Sequence, residues 1–338
     1  MSASATAGAA AEVPSAWAGR GVLVTGASGF LGAWLTRALL ERGARVIALV
    51  RDEPRPSGLD LFALRERVTR VPGPVEDAAS VERALVEYDA SVVFHLAAQT
   101  LVGPARQSPV ATFEANIRGT WTVLEACRRQ AERIAAVLAA SSDKAYGEHA
   151  QLPYREDFCL QPRFPYDASK ACADILARSY FHTYALPVAV TRCANLYGGG
   201  DLNMSRIIPG TIQAALAGKR PEIRSDGTPV RDYLYAEDAV RGYLSLAEAV
   251  IAGRGAGEAV NFGSQEPIAV LPLVRAVLAA CGRPDLEPDV RATARGEIDR
   301  QYLDSRRAAQ LLGWRAQTPL AQGLAATVAW YRESAAGR

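Results

Sequence analysis

Gly21-Val22-Leu23-Val24-Thr25-Gly26-Ala27-Ser28-Gly29-Phe30-Leu31-Gly32 is the stretch on which the fold is decided. Its first five residues read as a buried strand. A helical pattern follows from Ala33 to Arg42, with Leu35, Ala38 and Leu39 on one face and Gly43 just past the end. The loop between them spaces its glycines as GxxGxxG. Gly26 permits a tight turn, Gly29 lets the backbone approach a pyrophosphate, and Gly32 lets helix and strand pack closely. The helix N-terminus then offers free N–H groups and a partial positive charge to phosphates. Between a strand and a helix, this spacing predicts a dinucleotide site built on Gly26, Ser28, Gly29, Phe30, Leu31 and Gly32.

Further along, Arg45–Val50, Ser91–Leu96, Ala135–Ala140 and Val188–Thr191 read as strands interleaved with helical patterns. Such alternation predicts βαβ units and a parallel sheet covered on both faces, an α/β, Rossmann-like, doubly wound fold. Residues 18–195 are expected to form the dinucleotide-binding domain, with return segments near 230–265 and a late strand ending at Asn261-Phe262-Gly263. From Gly198 onward glycine, proline and arginine become frequent. Residues 196–338 are therefore expected to form mainly a smaller, mixed α/β substrate lobe over the strand ends, closing with a helix over Leu320–Tyr331. Residues 1–17, rich in Ala and Ser and lacking Lys or Arg, are expected to be a disordered tail and not a secretory signal.

The charge balance of 38 basic against 36 acidic residues leaves a net +2, with no long basic run. That points away from nucleic acid and from an acidic membrane surface as partners. No apolar run reaches membrane-spanning length. Five cysteines lie far apart with no CxxC, which is neither a zinc pattern nor a disulfide framework, so no metal is expected and free thiols in a reducing cytoplasm are.

The end of the second strand should carry the residue that reads the adenosine ribose. An acid there favours NAD and an arginine accommodates a 2′-phosphate. Arg51 and Asp52 offer both, which leaves NAD or NADP open. The strand at Ala135–Ala140 runs into Ser141-Ser142-Asp143-Lys144-Ala145-Tyr146-Gly147, and Tyr166-Asp167-Ala168-Ser169-Lys170 follows. Tyr166 and Lys170, four residues apart, share one helix face. An ammonium near a phenol favours the phenolate, so Lys170 is expected to lower the Tyr166 pKa. A hydroxyl, a carboxylic acid and two lysines near one tyrosine form a set of proton-transfer groups. Combined with hydride chemistry, they suggest oxidation followed by elimination.

TGASGFLG, HLAAQ (His95 to Gln99), SSDKAYG, YDASK, NLYGGGD (Asn195 to Asp201) and RDYLYAEDA (Arg231 to Ala239) occur in this order. Together they resemble the extended short-chain dehydrogenase/reductase family, in particular its nucleotide-sugar 4,6-dehydratases, over residues 18 to 332. The resemblance implies conversion of a nucleotide-diphosphate hexose to its 4-keto-6-deoxy derivative. A 4-epimerase of the same family is the alternative, and a non-catalytic dinucleotide sensor is a third.

By the same resemblance, Leu96, Ala97, Ala98 and Gln99 would line the cofactor site, and Ser142 would hold the sugar near O4. Tyr166 would take the O4 proton, Lys170 would hold the nicotinamide ribose, and Asp143 would protonate the leaving O6. Lys144 would act as the C5 base only if neutral, which burial and the Lys170 charge would favour; otherwise it would orient the intermediate. Thymidine- and guanosine-linked members carry glutamate at the Lys144 position, whereas cytidine-linked members resemble this chain. Asn195, Arg206 and Arg231 would contact the substrate, and helices around Phe113–Arg129 and Asp167–Tyr184 would pair in a homodimer.

Three departures from the family pattern stand out. Pro74, in Gly73-Pro74-Val75-Glu76-Asp77, replaces an aspartate that reads adenine, which leaves the backbone at Val75 for that task. Ala105 stands where a serine is common. Arg51 is not typical of NAD-using cytidine-linked members.

Overall fold

The computed structural model describes residues 16–52, 55–294 and 298–336. Strands β1 (Gly21–Thr25), β2 (Arg45–Val50), β3 (Thr69–Pro72), β4 (Val92–His95), β5 (Ala136–Ala140) and β6 (Val188–Cys193) are joined by Ala259–Phe262 in one seven-stranded sheet. From one edge the order is Ala259–Phe262, β6, β5, β4, β1, β2, β3, and every pairing is parallel. The order reverses direction at β1 and β4, so the crevice of this doubly wound sheet opens at their C-terminal ends.

The central strands β1, β4 and β5 divide their side chains between two buried cores, as the period of two requires. Val22 and Val24, Val92 and Phe94, and Ala136 and Leu138 enter one core. Leu23, Val93, Val137 and Ala139 enter the other. Both faces are therefore covered, which is why these strands are apolar throughout instead of alternating.

Helix α1 (Phe30–Glu41) and the helix Ala236–Ile251 pack together on one face, and the latter also covers β5 and β6. Helices Ala78–Val86, Gly119–Arg129 and Pro165–Tyr184 form the layer on the other. Over the strand ends, residues beyond 195 build small pieces: Asn195–Tyr197 with Tyr233–Tyr235, Val230–Arg231 between Ile268–Ala269 and Arg300–Gln301, and Glu222–Ile223 with Asp289–Val290. The last helix, Leu320–Ala336, runs five residues past the expected end. No helix among the described residues is long and apolar enough to cross a membrane.

The expected tail needs correction at its last residue. Residues 1–15 lie outside the described residues. Trp17 does not behave as tail: it is 1% exposed, packs 6.0 Å from the Phe94 ring, and its indole donates to Glu248 at 2.6 Å. Average composition hid one large aromatic side chain, whose burial outweighs the surrounding Ala and Ser.

Candidate active site

The turn after β1 leaves no room for a side chain at two positions. Gly26 has φ +74°, and a Cβ there would lie 2.8 Å from the Ala97 nitrogen. A Cβ at Gly32 would lie 2.1 Å from the Gly26 carbonyl oxygen. Strand and helix can approach closely only because both are glycine, and the α1 N-terminus is thereby aimed into the crevice. This cradle fits a dinucleotide pyrophosphate.

Gly26, Ser28, Gly29, Phe30, Leu31 and Gly32 line a single cavity of about 1060 Å³, together with Arg51, Asp52, Val75, Leu96, Ala97 and Ala98. Arg51 and Asp52 pair with each other at 2.7 Å and are largely exposed. Asp77, downstream of Pro74, is used as an N-cap, accepting from the Ser80 backbone at 3.0 Å. Ala105 is buried.

Gln99 departs from expectation and does not line the cavity. Its amide donates to the Leu101 carbonyl at 3.1 Å and accepts from the Leu101 backbone, while its own main chain is held on both sides by the Asn116 side chain. It braces the loop after β4. His95, from the same motif, joins Thr25 at 2.9 Å and Thr120 at 3.0 Å. Burial, aided by the Lys170 charge, pushes its pKa down to about 3, so it is neutral and structural.

Beyond β5, Ser142 caps the one-turn helix Asp143–Tyr146. Its hydroxyl donates to Asp143 Oδ1 at 2.9 Å. Asp143 is 1% exposed, and its Oδ2 has no hydrogen-bond partner among the described residues. Lys144 Nζ lies 3.6 Å from Asp143 Oδ1 and donates to Asn195 Oδ1 at 3.2 Å. The far end of the turn is anchored: the Tyr146 hydroxyl donates to Asn261 and accepts from Arg192, which is buried on Asp174.

Tyr166 and Lys170 rise from the 165–184 helix into the same cavity. The tyrosine differs electrostatically from expectation. Burial first, and the Asp143 charge second, push its phenol up to about 12, with Arg206 and the Ser142 hydroxyl opposing. Lys170 does not counter this, because its ammonium donates to the Ala140 carbonyl at 2.8 Å, and burial pulls its own pKa down to about 8.

Asn195, Arg206 and Arg231 line the same cavity. Arg206 pairs with Asp201 at 2.8 Å, and Arg231 donates to the Val230 carbonyl at 2.9 Å. A glycine cradle suited to a dinucleotide, a cluster of titratable side chains and two arginines thus line one cavity.

The model for the NAD dependent epimerase/dehydratase family matches residues 22–263. The chain belongs to that family. It is 34% identical to a dTDP-glucose 4,6-dehydratase from Streptomyces antibioticus, over 93% of this chain and 93% of that one. It is 31% identical to a UDP-glucose 4-epimerase from Mycolicibacterium smegmatis, over 92% and 98%. Among solved structures, a dTDP-glucose 4,6-dehydratase from Streptomyces venezuelae with NAD bound superposes with a TM-score of 0.83 at 30% identity, covering 94% and 98% of the two chains.

Within this epimerase/dehydratase family member, Asp167 and Gln301 are among the cavity residues that sequence reasoning did not single out. Asp167 is buried on the cavity wall. One position from Tyr166 is about 100° around a helix, so spacing alone places it off the face that Tyr166 shares with Lys170. Gln301, on the short strand Arg300–Gln301, reaches the turn after β5, donating to the Asp143 carbonyl at 3.1 Å. No local signal marks it, since its partner lies 158 residues away.

Proposed function

We propose that this family member is a nucleotide-sugar 4,6-dehydratase that converts a CDP-glucose-like nucleotide hexose to the 4-keto-6-deoxy sugar. Asp143 carries the reading. An epimerase must move the O4 proton and let the sugar turn, for which Ser142 and Tyr166 suffice. A dehydratase must also protonate a departing O6. Keeping a buried carboxylate oxygen without a donor costs about 1–3 kcal/mol, a cost that makes sense where substrate uses the group. Lys144 and Arg206 on the cavity wall support the cytidine-linked choice.

The glycine cradle, Asp52 and Lys170 would hold the dinucleotide, with NAD the proposed form. When bound, it supplies a cationic hydride acceptor for C4 and the hydride that C6 later receives. Tyr166 takes the O4 proton, and Ser142 lies between it and Asp143. The same hydroxyl offers that proton a path to Asp143, which delivers one to O6 as water leaves. Lys144, paired with Asp143 and Asn195, acts in this scheme as an orienting cation. Asn195, Arg206 and Arg231 hold the diphosphate end.

The test is incubation with NAD and, in turn, CDP-, GDP-, TDP- and UDP-hexoses, followed by mass spectrometry. Loss of one water from the CDP-hexose is expected. An unchanged mass with an inverted C4 would make the protein a 4-epimerase.

A homodimer belongs to the same proposal. Trp121 is 45% exposed and Ile175 54% exposed, on the packed helices Gly119–Arg129 and Pro165–Tyr184. Such side chains favour burial against a second copy. Trp121→Arg with Ile175→Arg is expected to halve the mass seen by analytical ultracentrifugation, and an unchanged dimer would place the interface elsewhere. The five cysteines, free in this structure, support a reducing, cytoplasmic setting.

A further inference from the structure

Elimination needs a base at C5 as well as an acid at O6, and the groups assigned so far leave that base unfilled. Lys144 is tied to Asp143 and Asn195. Asp143 is committed to O6. Tyr166 and Ser142 serve O4. One further carboxylate lines the same part of the cavity: Asp167, on the first turn of the 165–184 helix, next to Tyr166.

Acidic residues at helix N-termini usually face solvent and serve the helix dipole. Asp167 does not fit that description. It is 6% exposed and borders the cavity, and its carboxylate has no hydrogen-bond partner among the described residues. The charged groups acting on it are Lys144 and Asp143 on the turn after β5, and Arg106, whose guanidinium stacks 4.6 Å from the Phe164 ring centroid. Two buried carboxylates, Asp143 and Asp167, therefore flank one lysine at the cavity wall. Paired carboxyls of unlike surroundings divide acid and base work between them.

We propose that Asp167 is the base that removes the C5 proton, an inference that rests on the dehydratase reading above. In this step the C5–H bond breaks and its proton passes to a carboxylate oxygen of Asp167. The electron pair forms the C5–C6 double bond as the C6–O6 bond breaks, and O6 leaves as water with the proton from Asp143. Asp167 returns its proton to C5 when C6 receives its hydride. The 4-keto group formed in the first step acidifies C5–H, so a carboxylate suffices as base. Burial, with the Asp143 charge adding to it and Lys144 and Arg106 opposing, raises the Asp167 carboxyl to about 6. The base form is thus present at neutral pH and lost as pH falls through about 6.

The experiment compares wild type, Asp167→Asn and Asp167→Glu in D2O with the hexose that wild type accepts. Three readouts are followed: reduced-nicotinamide absorbance, deuterium at C5, and product mass. Wild type is expected to lose water and to carry deuterium at C5. Asp167→Asn is expected to reduce the cofactor normally, which shows that it folds and binds. Its C5 exchange and water loss should fall about 10²- to 10³-fold, with the acidic limb of the residual rate gone. Asp167→Glu should recover a substantial part. Water loss and C5 exchange by Asp167→Asn at the wild-type rate would overturn the base assignment alone. Wild type that returns an epimer of unchanged mass would overturn the dehydratase reading, and the base with it.

Discussion

Tyr166→Phe is expected to abolish C4 oxidation, lowering the rate of reduced-nicotinamide formation in a single turnover by about 10³-fold or more, equivalent to about 4 kcal/mol of barrier. The ring fills the same volume, so the fold and both binding sites should persist. What disappears is the phenol that accompanies Ser142 at the proposed O4 position. The effect should be large because no neighbour replaces it: Lys170 is turned to the Ala140 carbonyl, and Ser142 is a neutral hydroxyl already donating to Asp143. Stopped-flow absorbance with saturating nucleotide sugar measures it directly. Near-normal cofactor reduction would remove Tyr166 from the mechanism.

Asp143→Asn should separate the two halves of the reaction. Asparagine keeps the shape and can still accept from Ser142, but has no proton to give O6. Water loss should fall about 10²- to 10³-fold, while C4 oxidation should survive, so a 4-keto hexose of undiminished carbon–oxygen skeleton and reduced cofactor should accumulate. A second signature follows from charge. Asp143 helps to hold the Tyr166 phenol at about 12, because a nearby negative charge disfavours phenolate. Removing it lowers that pKa, so the variant's oxidation step should reach its plateau at lower pH than wild type. Equal loss of oxidation and elimination, with no pH displacement, would count against Asp143 as the O6 acid.

Much of the fold was legible because it depends on short-range patterns. The apolar run Gly21–Thr25, the glycine spacing after it and the helix behind it are contiguous, and a strand covered on both faces must be apolar throughout. The segments proposed to carry the chemistry lie together for a related reason: a doubly wound sheet delivers the residues after β1, β4 and β5 to one edge, whatever lies between them. Other features depended on long-range contacts. Trp17 is buried by Phe94 and Glu248, neither of which local composition reveals. The Gln99 side chain folds back on Leu101, although its motif pointed toward the cofactor. Lys170 was expected to acidify Tyr166, but four-residue spacing sets only a shared helix face, and the direction of the ammonium is fixed by a carbonyl on β5. The short strand Arg300–Gln301 acquires its conformation by pairing with Val230–Arg231, some seventy positions earlier, so no local pattern announces it.

That last pairing limits how the molecule can be rebuilt. Gln301 grips the backbone of the catalytic turn, and the strand beside it carries Arg231. The portion proposed to hold the nucleotide and the portion proposed to perform the chemistry are therefore not interchangeable cassettes. Transplanting the second lobe from a relative with another base preference would also exchange the fastener on Asp143. A chimaera that keeps residues 298–304 native, and replaces only what surrounds them, respects the mechanical joint through which the two halves share a reaction centre.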